Sequence, residues 1–259
     1  MVFSDSHVHL HAYADVAGLL ERAHAVGVGL IVGVGVDVES SQQTVQIAAA
    51  HNGVVAAVGV HPVHLDAPFS SQTVKSLEAL AQRPEVGFIG EIGLDTVEGR
   101  LPFERQLDAL EAQIAVARSL RLPVNLHLRG ADELAFDALR RAGLPAAGAV
   151  LHYFVGDVEL VRRALDLGLF ISVGKPVTRA ENDDLRKAMR TIPLDRLLIE
   201  TDSYPLPGRT TEPSDAPLVA QAVGDLLGLS ADRIGDVTTE NLLRLLGPRS
   251  PGLSRFDRN

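Results

Sequence analysis

The chain has 259 residues, 46% of them hydrophobic, and no cysteine, so it can bury one large core but cannot form disulfides or thiolate metal sites. Its 24 basic residues face 33 acidic ones, and the net charge of −9 disfavours a broad basic surface for duplex nucleic acid while allowing a local basic pocket. Aromatics are only 4%, which leaves Ala, Val, Leu and Ile to fill the core. The opening MVFSDSHVHL lacks the basic start and apolar stretch of an export signal. The longest apolar run, residues 25–36, is too short to span a bilayer and carries four glycines. A cytoplasmic protein that does not enter membranes is therefore expected.

Taken in chain order, short apolar runs alternate with helical patterns. The run FSDSHVH (3–9) leads into a helix over 15–26 with a stripe of Val16, Leu19, Leu20 and Ala23. LIVGVGV (30–36) precedes a helix over 39–51, and VVAAVGVHP (54–62) one over 71–82. GFIGEIGLD (87–95) precedes a helix over 103–120, striped with Leu107, Leu110, Ile114 and Ala117. PVNLHLR (123–129) is followed by a helix over 131–142. AVLHYF (149–154) is followed by one over 157–168, with Asp157 as N-cap and Gly168 at its end. LFISVG (169–174) precedes a helix over 181–190, and LLIETDS (197–203) precedes helices over 215–228 and 238–246. The strand runs are continuously apolar, as parallel strands covered on both faces must be. Eight such units in this length predict an α/β fold, a (β/α)8 TIM barrel of the metal-dependent hydrolase type, as one domain over 1–247 with a flexible tail over 248–259. A doubly wound sheet would need a Gly-rich phosphate turn after its first strand, where this chain has HVHLH. The G-x-G spacings in 27–36 are not followed by the helix start that a nucleotide site requires.

Polar residues gather near the C-terminal ends of these runs: His7 and His9 on the first, His61 on the third, Glu91 on the fourth, His127, His152 and Asp202 on the fifth, sixth and eighth. In a barrel those ends converge on one mouth. Histidines two apart on a strand point the same way, so His7-x-His9 forms a chelating pair. Imidazole and carboxylate suit divalent ions, and four histidines with two carboxylates suit two ions about 3.5–4 Å apart, bridged by one carboxylate. Asp5, Asp95 and Glu200 are candidates to orient the ligands or tie strands together. His11 belongs to the pocket rim or to no site, and His64 lies in a loop near the pocket. His24 and His51 fall in helices and carry no assigned role. Basic residues near strand ends are Arg129, Lys175, Arg179 and Arg209.

The stretches DSHVHL (5–10), AVGVHP (57–62), IGEIGLD (89–95), LPVNLHLR (122–129), VLHYFVG (150–156), LDRLLIETDSYPL (194–206) and TTENLLRLLG (238–247) together resemble the TatD family of the amidohydrolase superfamily. The resemblance implies a metal-dependent barrel with two divalent ions (Mg, Mn or Zn) and a phosphodiesterase or deoxyribonuclease activity. By that resemblance His7 and His9 bind the first ion, Glu91 bridges, and His127 and His152 bind the second. It also makes Asp202 a ligand that faces the attacking water, and His61 and Arg129 contacts of the substrate phosphate. Leu128, Tyr153, Val155, the TVEG stretch (96–99) and DSYPL (202–206) depart from the family pattern around intact ligands. The expected function is cleavage of single-stranded DNA ends or related phosphodiesters, with Asp202 and Glu91 as the catalytic pair. Two alternatives stay open: a metal-dependent hydrolase of a small ester, amide or phosphate ester, and a non-catalytic metal-bearing subunit.

Overall fold

A computed structural model describes residues 3–130, 132–208 and 210–251, residue 132 by its backbone only. Its strands are β1 (Phe3–Val8), β2 (Val28–Val34), β3 (Val54–Val58), β4 (Val86–Asp95), β5 (Val124–Arg129), β6 (Ala149–Leu151), β7 (Phe170–Val173) and β8 (Leu197–Ile199). All neighbours pair in parallel in the order β1 to β8. A parallel bridge between Val8 and Ser203 brings the chain past β8 back to β1. The expected (β/α)8 barrel is thus the observed fold.

The helices are α1 (Val16–Ala25), α2 (Val38–Ala50), α3 (Ser71–Ala81), α4 (Phe103–Leu120), α5 (Asp132–Ala142), α6 (Val158–Asp166), α7 (Asp183–Met189), α8 (Ala216–Leu227) and α9 (Ala231–Leu246). Each of the first six starts within one residue of its expected position. Asp157 caps α6 by accepting the Leu160 N–H at 2.9 Å, and Gly168 follows the helix with φ 73°. Helix α9 starts seven residues before the expected 238. Ser230 caps it by accepting the Arg233 N–H, a start signal upstream of the apolar stripe. Strands β3, β6 and β8 stop before His61, His152 and Asp202, so these three residues sit in the loops that leave the barrel rather than in the ladder.

Two apolar layers hold the barrel. Outward residues such as Ile31, Val58, Ile92 and Leu126 pack beneath the helices. Inward residues Leu30, Val32, Val34, Val55, Ala57, Phe88, Val150, Phe170 and Leu198 fill the interior together with Leu242, Leu245 and Leu246 of α9. Helix α9 therefore plugs the N-terminal end of the barrel, and the C-terminal end is left to the polar residues. Of the expected tail, Gly247–Arg249 forms a 3-10 turn in which Arg249 donates to the carbonyls of Arg83 and Val86. Residues 252–259 lie outside the described residues, as does Arg209. Among the described residues no helix is long and apolar enough to cross a membrane.

Candidate metal centre

Two strands change side-chain phase just below the mouth. Asp5 pairs with Ile31 and Val8 with Gly33, so β1 advances three residues where β2 advances two. Below this irregularity Ser6 points inward, its hydroxyl 2.7 Å from that of Ser172 on β7. Above it the inward set becomes His7 and His9. The same slip occurs in β4, where Ile89 pairs with Val124 and Ile92 with Leu126. Phe88 fills the apolar interior below, and Glu91 and Asp95 take the inward face above. An extra residue that re-aims side chains at a barrel rim is a recognised device of functional sites. Gly93 permits the tight packing here: a Cβ at its φ of 158° would lie 1.8 Å from the His127 carbonyl oxygen.

The barrel seam fixes three of the predicted residues. The Asp202 N–H donates to the His7 carbonyl and the His9 N–H to the Ser203 carbonyl, both at 3.0 Å. Asp202 adopts φ 47°, a left-handed conformation that Asp tolerates. Buried Asp5 spans the seam from below, accepting the Thr201 N–H at 3.0 Å, the Thr201 hydroxyl and the His7 N–H at 3.3 Å. Burial pushes its carboxyl up to about 8, against those donors. Asp5 thus ties β1 to the chain beyond β8.

The other five predicted ligands gather around Glu91. Its Oε1 lies 2.7 Å from His152 Nε2, 2.9 Å from His127 Nδ1 and 3.2 Å from His61 Nε2. Its Oε2 lies 3.3 Å from His7 Nε2 and 3.8 Å from His9 Nε2. Asp202 Oδ1 adds a second carboxylate 3.4 Å from His9 Nε2 and 4.0 Å from His7 Nε2. Each oxygen of Glu91 therefore faces its own set of imidazoles. Among the described residues, three groups bring their ligand atoms close enough together to take a metal ion: His7, His9 and Glu91; His7, His152 and Asp202; His61, Glu91 and His127. His61, expected at the substrate phosphate, stands as close to Glu91 as the predicted ligands do. Its Nδ1 accepts the Val63 N–H, which turns Nε2 inward.

Carboxylates behind the cluster set the rings. Asp95 Oδ2 is 3.0 Å from His127 Nε2, leaving Nδ1 to face Glu91. Glu200 Oε1 is 3.4 Å from His152 Nδ1 and accepts the Tyr153 N–H at 2.7 Å. Such partners select the tautomer and aim the other nitrogen at the site. Burial opposes ionisation of Glu91, but His61, His152 and His7 around it and the His127 hydrogen bond hold its carboxyl well below the usual range. Burial likewise opposes protonation of His152, yet Glu91 and Glu200 raise it well above an ordinary imidazole. His7 moves the other way, lowered by burial and by the nearby charge of His152.

The donors fit a divalent cation. His7 is fully buried, and neither of its ring nitrogens, nor Nδ1 of His9, has a hydrogen-bond partner among the described residues. The Nε2–Glu91 approach of His7 lacks hydrogen-bonding geometry. Unpartnered buried nitrogens of this kind are destabilising, and a cation that takes the one lone pair of a neutral imidazole removes that part of the penalty.

The cluster floors a cavity of about 400 Å³ whose rim carries His11, His64, Glu98, Arg129 and Tyr204. His11 is held by the Val34 carbonyl at 3.1 Å, and His64 lies 4.0 Å from Asp37. Lys175 instead pairs with Asp215 at 2.6 Å, and neither it nor Arg179 lines the cavity. The sequence reading missed Glu98, Tyr204 and two glutamines. Gln106 Oε1 accepts the Asp95 N–H at 2.8 Å, and its Nε2 donates to the Asp95 and Leu101 carbonyls. Gln113, two turns along α4, grips both backbone groups of Val60 beside His61. Amides on the buried stripe of α4 were a legible signal, because a buried amide needs partners.

An eight-stranded parallel barrel with histidines and carboxylates at its C-terminal mouth defines a metal-dependent barrel hydrolase. Residues 4–247 match the family model described as TatD related DNase. The chain is 33% identical over 250 residues to an uncharacterized metal-dependent hydrolase, YabD of Bacillus subtilis, covering 93% of this chain and 97% of that one. It is 34% identical over 239 residues to the 3'-5' ssDNA/RNA exonuclease TatD of Klebsiella pneumoniae, covering 88% and 90%. The crystal structure of YjjV, a TatD homolog from Escherichia coli K12, superposes with a TM-score of 0.84 at 32% identity, covering 94% and 97%. The chain belongs to the TatD family.

Proposed function

We propose that this protein is a two-metal phosphodiesterase that cleaves nucleotides from the ends of single-stranded DNA. The observation that carries the reading is the two-sided presentation of Glu91, with three imidazoles at one oxygen and two at the other. His7, His9 and Asp202 would hold one divalent ion and His127 and His152 the other, with Glu91 shared and His61 beside the second. Mg, Mn or Zn bound there supplies Lewis acidity, lowering the pKa of a water towards about 7 and polarising the phosphoryl oxygen.

The side chains have separable tasks. Asp202, at the seam with Oδ1 3.4 Å from His9 Nε2, takes the proton of the attacking water. Arg129 meets the phosphate at the rim and balances the charge that develops on its oxygens. Asp95 and Glu200 keep His127 and His152 aimed inward. The relatives named as single-strand exonucleases support the substrate class, and the small cavity suits a strand end better than a duplex.

The test is to strip the protein of metal, reload it with Mg²⁺, Mn²⁺ or Zn²⁺, and offer labelled single strands, duplexes, RNA and neutral esters. Metal-dependent shortening of single strands that is lost in Glu91→Gln is the expected result. Turnover of esters alone would move the assignment to small-molecule hydrolysis. Metal binding without any turnover would leave only the non-catalytic reading.

A further inference from the structure

Arg129 is the one permanent cation among the described residues that line the cavity, and it is already occupied. Its Nη1 donates to Glu98 Oε1 at 2.7 Å. We propose that Glu98 is a selectivity residue whose carboxylate competes with substrate phosphate for Arg129 and so sets how strongly the mouth attracts anions. The inference rests on the phosphodiesterase reading above.

The placement of Glu98 is built into the frame of the site. Asp95 Oδ1 accepts the N–H groups of Val97 and Glu98 at 2.8 and 2.7 Å, while its Oδ2 faces His127. The Thr96 N–H donates to the Arg129 carbonyl at 3.0 Å, which ties the loop to the end of β5. Gln106 clamps both backbone groups of Asp95. The carboxylate that aims His127 therefore also fixes the turn that presents Glu98, so the Glu98–Arg129 contact keeps a constant position relative to the metal ligands.

The pair itself is open to exchange. The Glu98 side chain is 59% exposed and that of Arg129 49%, so water screens their attraction. A phosphodiester offers a guanidinium the same paired oxygens as a carboxylate and the same single negative charge, so the two compete on similar terms. An incoming phosphodiester can displace Glu98, but the anchored loop keeps the displaced carboxylate beside the bound phosphate. Glu98 thus lowers affinity in proportion to substrate charge and leaves uncharged groups unaffected.

Glu98→Gln removes the charge and keeps the shape. Two measurements on the full chain read its effect. One is fluorescence anisotropy of labelled oligothymidylate with metal-stripped protein, beside the same strand with uncharged methylphosphonate linkages. The other is KM for bis(4-nitrophenyl) phosphate with Mn²⁺-loaded protein. The variant should bind the anionic strand about 3- to 10-fold more tightly and lower KM by a similar factor, with no change for the uncharged strand. Unchanged or weaker binding of the anionic strand, or an equal gain for the uncharged one, would overturn the proposal. Tighter anionic binding by the variant in a protein that cleaves no diester would sink the phosphodiesterase reading and leave the role of Glu98 standing. Diester cleavage with no effect of Glu98→Gln would do the reverse.

Discussion

On the two-ion reading, replacing Glu91 with Gln should halve the metal content of the protein. The amide has the shape of the carboxylate but keeps only one ligating oxygen, because its NH₂ has no lone pair to offer. Among the described residues, the two donor groups that contain Glu91 lose their carboxylate, while His7 and His9 of the first site keep Asp202. A second ion then loses its anionic ligand, and stoichiometry should fall from two to one. Each ion present at 100 times its Kd stabilises the fold by about 2.7 kcal/mol. Saturating metal should therefore add about 5 kcal/mol to the wild type and about half of that to the variant. Turnover should fall by at least about 10³, equivalent to about 4 kcal/mol of transition-state stabilisation. The fold should survive, since the amide keeps the shape of the carboxylate and Glu200 still partners His152. Isothermal titration with Mn²⁺, elemental analysis and urea unfolding with and without metal give the three quantities. A variant that still binds two ions with wild-type turnover would refute the bridging role.

Gln106→Leu should strip partners from the Asp95 N–H and from the Asp95 and Leu101 carbonyls, at about 1–3 kcal/mol for each group left unpaired. Urea unfolding reads that loss, and turnover of the folded fraction should also drop because Asp95 no longer holds His127 squarely. Leu242→Ala, in the apolar plug at the opposite end, should cost about 2–5 kcal/mol and leave turnover per folded molecule intact. Stabilisation by Mn²⁺ should shrink as pH falls, because protons compete with the ion for imidazole nitrogens and ligation requires the neutral ring, and His152, raised by Glu91 and Glu200, takes up its proton at a higher pH than an ordinary imidazole. A thermal shift on metal addition that is equally large at pH 5 and pH 7.5 would contradict histidine ligation. Arg129→Gln should raise KM for a charged diester, checked by initial rates, with little change for a neutral ester.

Strand and helix order, barrel class and the six candidate ligands could be read from local patterns. Continuous apolar runs and helical stripes are properties of a few neighbouring residues, and an ionisable group at the end of an apolar run stands out wherever it occurs. Helix α9 shows the limit of that reading, since its first turns carry only Ile234 and Val237 as apolar marks beside the Ser230 cap. The phase changes in β1 and β4 depend on how many residues the neighbouring strand spends over the same length, which no single segment records. Those slips turn His7, His9 and Glu91 inward. The two-sided use of Glu91, the closeness of His61 to it and the capture of Arg129 by Glu98 arise between residues 30 or more positions apart. Residue types set which chemistry was available, while the distances that gather those residues around Glu91 exist only once the barrel has closed.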